Sequence, residues 1–283
     1  MSPVTASQFA AFRLVFGLYL VTLFVWLAPY AGEVFGSSGM LPEARRNWAY
    51  HIFPNLLLLA DGTRSVVVFV IGLALLAGLF MAGIARRTVA VALWYGWACL
   101  YHRNNLIDDP SVPMIGWLLL ASALVPCGEG LSLRRIAADP AWEMPSVLWH
   151  GAWLILASGY SLSGIHKWLN SPSWVDGSAF NHILQSPLAR ESFIREWLLA
   201  QPPWLGQVLT WSVLALEAAF VPLCLWSPMR FVAWAAMVGM HLGLLLVIDF
   251  PTLTFGVLIA HLFVFDRRWI SGSNHFTTYQ LSE

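Results

Sequence analysis

Charge is scarce in this chain of 283 residues, and lysine is scarcer still. Charged residues make up 11% of the sequence, where an ordinary soluble domain carries about 25%. Fifteen basic and fifteen acidic residues cancel, so no net charge draws the protein to nucleic acid. The three cysteines, Cys99, Cys127 and Cys224, lie far apart in or at the end of apolar runs. That spacing excludes a disulfide scaffold and reads as inert packing. No HxxxH or ExxH spacing puts two ligands on one helix, which argues against a metal site. Repeats, low-complexity tracts and a separable soluble domain are also missing. Of the fifteen basic residues, Lys167 is the only lysine.

What fills the chain instead is apolar. Hydrophobic residues make up 58%, and there are sixteen tryptophans, a side chain that favours membrane interfaces. A helix needs about 20 residues to cross the hydrocarbon core, and eight runs qualify as expected spans: 8–30, 65–85, 88–104, 112–127, 147–167, 205–226, 231–249 and 252–265. The ten-residue alternation of a membrane barrel is absent, and backbone buried in lipid must bond within its own segment. The expected fold is therefore all-α: a polytopic transmembrane bundle of about eight spans, one membrane domain over 1–283. Met1 to Ser7 carry no positive side chain, so the first apolar run reads as a span and not as a cleavable signal.

Between the spans lie two longer segments, 31–64 and 168–204, expected to be structured. Within the second, Ser186-Pro187 reads as an N-cap and first turn leading to a surface helix through Leu199, stopped by Pro202-Pro203. Segment 53–60 reads as a re-entrant or interfacial piece. Arg86-Arg87, Arg134-Arg135, Arg230 and Arg267-Arg268 fall in short loops on one side. By the positive-inside rule that side is cytoplasmic and holds both termini.

Ionisable groups inside spans are costly and by default suggest function. Beyond Arg13, these are His102, Lys167, Glu217, His241 and His261. Glu217, His241 and His261 each fall near the middle of their expected span, so they are expected to share one layer and to form a hydrogen-bonded cluster. Lys167 ends an apolar helix whose face, through Gly164, Ser163, Tyr160 and Gly159, is small and partly polar. It reads either as a snorkelling helix anchor or as a base. His102, Lys167, Trp174, Asp176 and Asp249 are expected to converge at the non-cytoplasmic end.

Several of these segments resemble a known family. Gly164-Ile165-His166-Lys167-Trp168-Leu169, followed by Trp174-Val175-Asp176-Gly177-Ser178-Ala179, resembles the core of the vitamin K-dependent γ-carboxylases and of their shorter relatives, the horizontally transferred transmembrane domain (HTTM) proteins. Phe12-Arg13-Leu14-Val15-Phe16-Gly17, Ser38-Gly39-Met40-Leu41-Pro42 and Tyr101-His102-Arg103-Asn104-Asn105 extend the likeness over about residues 8–270. The resemblance implies that Lys167 is the base that deprotonates a bound quinol of the vitamin K or menaquinone type. Oxygen then turns the quinol into a base strong enough to prepare glutamate for carboxylation. It also implies that His102 assists near the quinol, and that Trp174, Asp176, Asn105, Asp249, Glu217, His241 and His261 are candidates for binding quinol or substrate. The eukaryotic carboxylases carry a large lumenal region after the membrane domain, and this chain ends at Glu283, so the resemblance leaves two expectations: quinol chemistry with a different acceptor, or another role for the domain.

Two classes of function stay open at this point. One is a quinol-coupled membrane enzyme, either a carboxylase acting on a secreted peptide or an epoxidase or monooxygenase without carboxylation. The other is a non-enzymatic quinone- or lipid-binding partner of a thioredoxin-like redox protein. Either is expected in the cytoplasmic membrane of a bacterium.

Overall fold

A computed structural model describes residues 4–131 and 138–271. Arg134 and Arg135, two of the arginines used for orientation, lie outside the described residues. Among the described residues the chain is helical, with a single isolated antiparallel bridge between Ala189 and Ile248. Each expected apolar run is helical. The first four are α1 (Ala6–Leu27, followed by the short α2, Ala31–Phe35), α3 (Thr63–Met81), α4 (Arg86–Arg103) and α5 (Ser111–Leu124). The loop after α5 leads to α6 (Ser146–Asn170), and three short helices follow: α7 (Pro172–Val175), α8 (Ala179–Gln185) and α9 (Phe193–Leu199). The chain closes with α10 (Pro203–Ala218), α11 (Phe220–Leu225), α12 (Ser227–Val247), α13 (Pro251–Phe263) and a final turn, α14 (Arg268–Ser271).

Contacts between the long helices fix their directions. Gly17 of α1 meets Met81 at the end of α3, while Gly32 meets Thr63 at its start, so the two run antiparallel. The Trp97 indole of α4 donates to Val112 at the start of α5, and Arg86 at the start of α4 donates to Val125 beyond the end of α5. Trp149 at the start of α6 donates to Val264 just past α13, and Trp234 near the start of α12 donates to His261 near the end of α13, so α13 runs antiparallel to both. Gln8 at the start of α1 donates to the carbonyl of Phe265, just past α13, so the first and last long helices open and close at one end of the bundle.

Helix α13 holds the bundle together, packing on α1, α5, α6 and α12. This explains why a helix of thirteen residues is buried on most of its surface, through Thr254, Gly256, Val257, Ile259, Ala260, His261 and Phe263. Close approach needs small residues. A β-carbon on Gly17 would lie 2.5 Å from that of Met81, which is why a glycine stands where α1 crosses α3. The outward faces carry Leu18, Val25, Val68, Leu75, Leu154 and Leu162 in the open. Among the described residues three helical stretches, Ala6–Phe35, Thr63–Met81 and Ser227–Val247, are long and apolar enough to cross a membrane. Apolar residues on the outside and length of this kind together mark a membrane protein.

Two details differ from the sequence reading. The expected helix start at Ser186-Pro187 is not one: Ser186 ends α8, and α9 begins after Ser192, whose hydroxyl accepts from the Arg195 amide at 3.3 Å. The intervening residues pair instead with the α12–α13 link. Arg190 N–H bonds the Val247 carbonyl at 2.9 Å, and Asp249 N–H bonds that of Leu188 at 2.8 Å. Arg86 and Arg87, read as loop charges, are structural. Arg86 is buried and donates to the carbonyls of Ser122, Val125 and Pro126, and Arg87 donates to Ala123. Ser122 and Ala123 are among the carbonyls that the end of α5 leaves without intrahelical partners, and Val125 and Pro126 follow it directly.

Candidate functional site

The expected span 205–226 is two helices, and the break between them builds the site. Pro222 has no N–H to offer Ala218, and its ring crowds the preceding turn, so α10 stops at Ala218 and α11 begins at Phe220. The break frees the Glu217 carbonyl and the Val221 amide, which a continuous helix would join. Ser161 of α6 stitches them: its hydroxyl accepts from Val221 N–H at 2.9 Å and donates to the Glu217 carbonyl at 3.2 Å. One turn further, a β-carbon on Gly164 would sit 2.4 Å from the Ala218 nitrogen. Glycine there lets α6 press directly on the broken backbone.

That packing brings the lysine to the glutamate. Lys167 Nζ donates to Oε1 of Glu217 at 2.7 Å and to Oε2 at 2.6 Å. The Glu217 side chain is 8% exposed and that of Lys167 25%, so the carboxylate is buried and the lysine partly so. The face of Trp174 covers the amine, with its ring centroid 4.4 Å away, close enough for a cation–π contact. Trp174 is held by the docking of segment 172–185 on α10. The Trp211 indole donates to the Val175 carbonyl at 3.1 Å, and the Phe180 amide donates to the Thr210 hydroxyl at 3.1 Å.

The expected cluster of Glu217, His241 and His261 divides in two. Glu217 faces Lys167, because the break puts it at the end of α10 and not at the middle of a span. The histidines meet on a residue the sequence reading named only as a neighbour of Lys167. The Tyr160 hydroxyl lies 2.8 Å from Nε2 of His241 and 2.8 Å from Nε2 of His261. A hydroxyl carries one proton, so it donates to one ring and accepts from the other, and the neutral imidazoles hold opposite tautomers. Both Nδ1 atoms are buried with no partner among the described residues. Tyr160 and Lys167 are seven residues apart on one helix, about 10 Å along its axis.

The remaining candidates lie at the same end of the bundle but in separate contacts. His102 stacks on Phe53 at 4.6 Å and its Nδ1 lies 2.7 Å from the Ala98 carbonyl. Asn105 follows α4 in a turn, its carbonyl accepting from Asp108 N–H at 3.3 Å. Asp249 pairs with Arg190 at 3.1 Å on the surface. Asp176 accepts from the Ser178 amide at 2.8 Å at the start of α8, and its hydrogen bonds with Ser178 hold the carboxyl below the usual carboxylate range. The carboxylate that does sit beside the amine is Glu217.

At the opposite end, Glu129 joins two arginines that the sequence reading left apart. Arg13 Nη1 lies 2.7 Å from Glu129 Oε1, and Arg86 Nε lies 2.8 Å from the same oxygen. Glu129 stands between Gly128 and Gly130, both at positive φ. A lone Arg13 inside a first span was the available sign that such a carboxylate must exist. Compared with protein-family models, curated proteins and solved structures, the chain matches none.

Proposed function

We propose that the protein is a multi-pass membrane enzyme that uses the Lys167–Glu217 pair to take a proton from a bound hydroquinone, as its resemblance to the vitamin K-dependent carboxylases implies. On this reading the eight apolar runs are eight crossings, the sixth made by α10 and α11 together, with both termini cytoplasmic and the Lys167 end facing outward. The observation that carries the reading is the pair itself: one partly buried lysine, its amine held by both oxygens of a buried carboxylate, under a tryptophan face. An ammonium has to give up a proton before it can accept one, and Glu217 at 2.6 Å is the group that takes it. The pair is then the base, with Lys167 the contact atom and Glu217 the final acceptor.

The donor set fits a phenolic hydroxyl. The amine is a hydrogen-bond partner for the oxygen, and Trp174 offers an aromatic wall for a ring. When bound, a reduced quinol supplies the oxygen chemistry that the side chains lack. Lys167 orients the hydroxyl and receives its proton, and Glu217 holds the proton while the ring reacts. Carboxylation of a peptide and epoxidation without carboxylation both begin with this step. The non-enzymatic alternative keeps the quinone and drops the chemistry, as a partner of a redox protein.

The test is mass spectrometry of lipids that copurify with the protein, followed by oxygen uptake with any quinol found. Bound quinone with quinol-dependent uptake supports the enzyme, and bound quinone without uptake supports the binding protein. A preparation with neither, and no uptake on adding menaquinol, contradicts both.

A further inference from the structure

The open apolar side of α12 does not stop where that helix ends. Ser227–Val247 is long and apolar enough to cross a membrane. Its open side carries Val232, Leu242 and Leu246, each about half exposed, with Gly239 and Gly243 between them. At the helical period these five fall within one arc of about 100°, with no charged residue among them. A face of that width and composition on a crossing helix is a face toward lipid.

The end of α12 is fastened to the segment before α9. Arg190 N–H bonds the Val247 carbonyl and Asp249 N–H bonds that of Leu188, and α9 packs on α8 and α12. The seven residues of α9 divide by side. Arg195 and Leu198 are half-buried, and Arg195 Nε donates to the Leu184 carbonyl at 2.6 Å, so this side is turned to the bundle. The other side carries Phe193 and Trp197, one turn apart and 79% and 50% exposed, with Ile194 beside them. These are side chains that gain much by leaving water, and folding leaves them in the open.

Charge and residue type say what covers them. The exposed charges flanking the two rings are Glu191 and Glu196, which do not recruit an anionic headgroup. Aromatic rings at the end of an apolar helix surface match the boundary between acyl chains and headgroups. We infer that α9 lies in the membrane boundary at the end of α12, with Phe193 and Trp197 inserted among lipid chains as a continuation of the lipid-facing side of α12. The occupant is the bilayer itself, held by apolar contact and not by charge. This seating does not depend on the quinol reading.

The test uses the full chain, with its native cysteines replaced, in phosphatidylcholine vesicles. Nitroxide labels at Phe193→Cys and Trp197→Cys are compared with one at Leu242→Cys, on the lipid-facing side of α12, and one at Glu43→Cys, exposed in a polar loop. Collision with oxygen, which concentrates in lipid, is measured against collision with a water-soluble nickel chelate. The oxygen-to-nickel ratio at 193 and 197 should exceed that at 43 severalfold and approach that at 242. Adding phosphatidylglycerol should leave it unchanged. A ratio equal to that at 43 places the face in water and overturns the inference. Low access to both reagents, meaning cover by another protein, overturns it as well, as does dipolar broadening between labels, meaning a second copy. A ratio that rises only with anionic lipid overturns the apolar seating. All variants are read at a melting temperature matching the wild type, and should Phe193→Cys fail to fold, Ile194→Cys takes its place under the same criteria.

Discussion

Lys167 Nζ sits between the two oxygens of Glu217, at 2.7 and 2.6 Å, so the one lysine of the chain is held by a single buried carboxylate. This relationship ties α6 to the broken end of α10, and stability and chemistry both depend on it. Lys167→Met leaves Glu217 buried and charged, which should cost about 3 kcal/mol, the lower part of the range for breaking a buried pair because the amine side is partly open. Lys167→Met with Glu217→Leu removes both charges and should recover most of that loss. Thermal melts of the single and double variants in one detergent check this. A double variant no more stable than the worse single would mean the two side chains are not coupled.

The α6–α10 contact should respond sharply to one methyl group. Gly164→Ala puts a β-carbon 2.4 Å from the Ala218 nitrogen, and backbone cannot yield as a side chain can, so about 1–3 kcal/mol is expected from overpacking. Ser161→Ala should cost a similar amount for a different reason, leaving the Val221 amide and Glu217 carbonyl unpaired. Both variants should also lower the affinity for quinol, because both move Glu217. Melting and binding measured side by side separate the effects. An unaltered melt in Gly164→Ala would contradict the close packing.

Tyr160→Phe should cost about 1–3 kcal/mol, since it strips both histidines of their shared partner. His241→Ala and His261→Ala should each destabilise as well, and the losses in a Tyr160/His241 double variant should fall short of the sum. Strict additivity in a double-mutant cycle would refute the shared hydroxyl.

How much of this was legible in the sequence follows from what each feature depends on. The eight apolar runs stand out in the sequence by length and composition, and each is helical in the structure. Lys167 stands out by rarity, and Arg13, His241 and His261 by being polar in apolar runs. Partners were harder. Glu217 was assigned to the histidines because span 205–226 was counted as one straight helix, although Pro222 was there to mark a break. Arg86 and Arg87 were read as charges beside a membrane, whereas they close the end of α5, and periodicity carries no information about which helix end lies nearby. Glu129 was missed altogether: it lies in a short Gly-flanked loop, and only the need to neutralise Arg13 points to it.

Asp176, a quinol-binding candidate in the sequence, ends α7 and accepts from the Ser178 amide in the turn before α8. Its carboxyl titrates below the usual range because of the Ser178 hydrogen bonds. The contribution of this turn is therefore fully present above the unfolded value of about 3.9 and is lost as pH falls through the lower folded value. The Ser178 amide followed by NMR should titrate with its midpoint below about 3.9. Asp176→Asn keeps an acceptor oxygen and should leave quinol binding unchanged. A midpoint above that value, or loss of binding in Asp176→Asn, would return Asp176 to the list of ligand contacts.

Topology has its own check. Single cysteines at Ser173, between α6 and α8, and at Ala141, between α5 and α6, should label from opposite sides of a sealed membrane once the native cysteines are replaced. Labelling of both from one side would rule out the alternating eight-crossing arrangement.

The central claim is that Lys167 and Glu217 together accept the proton of a bound hydroquinone, and quinol-dependent oxygen uptake by the purified protein tests it most directly. Lys167→Arg keeps a charged partner for Glu217 and preserves the fold, but a guanidinium does not release its proton. Glu217→Gln keeps the shape and removes the acceptor. Both variants should bind quinol and fold while losing uptake by at least about a hundredfold, the scale of general base catalysis. Uptake by folded Lys167→Arg at the wild-type rate would contradict the claim and leave Lys167 as the anchor of a helix end.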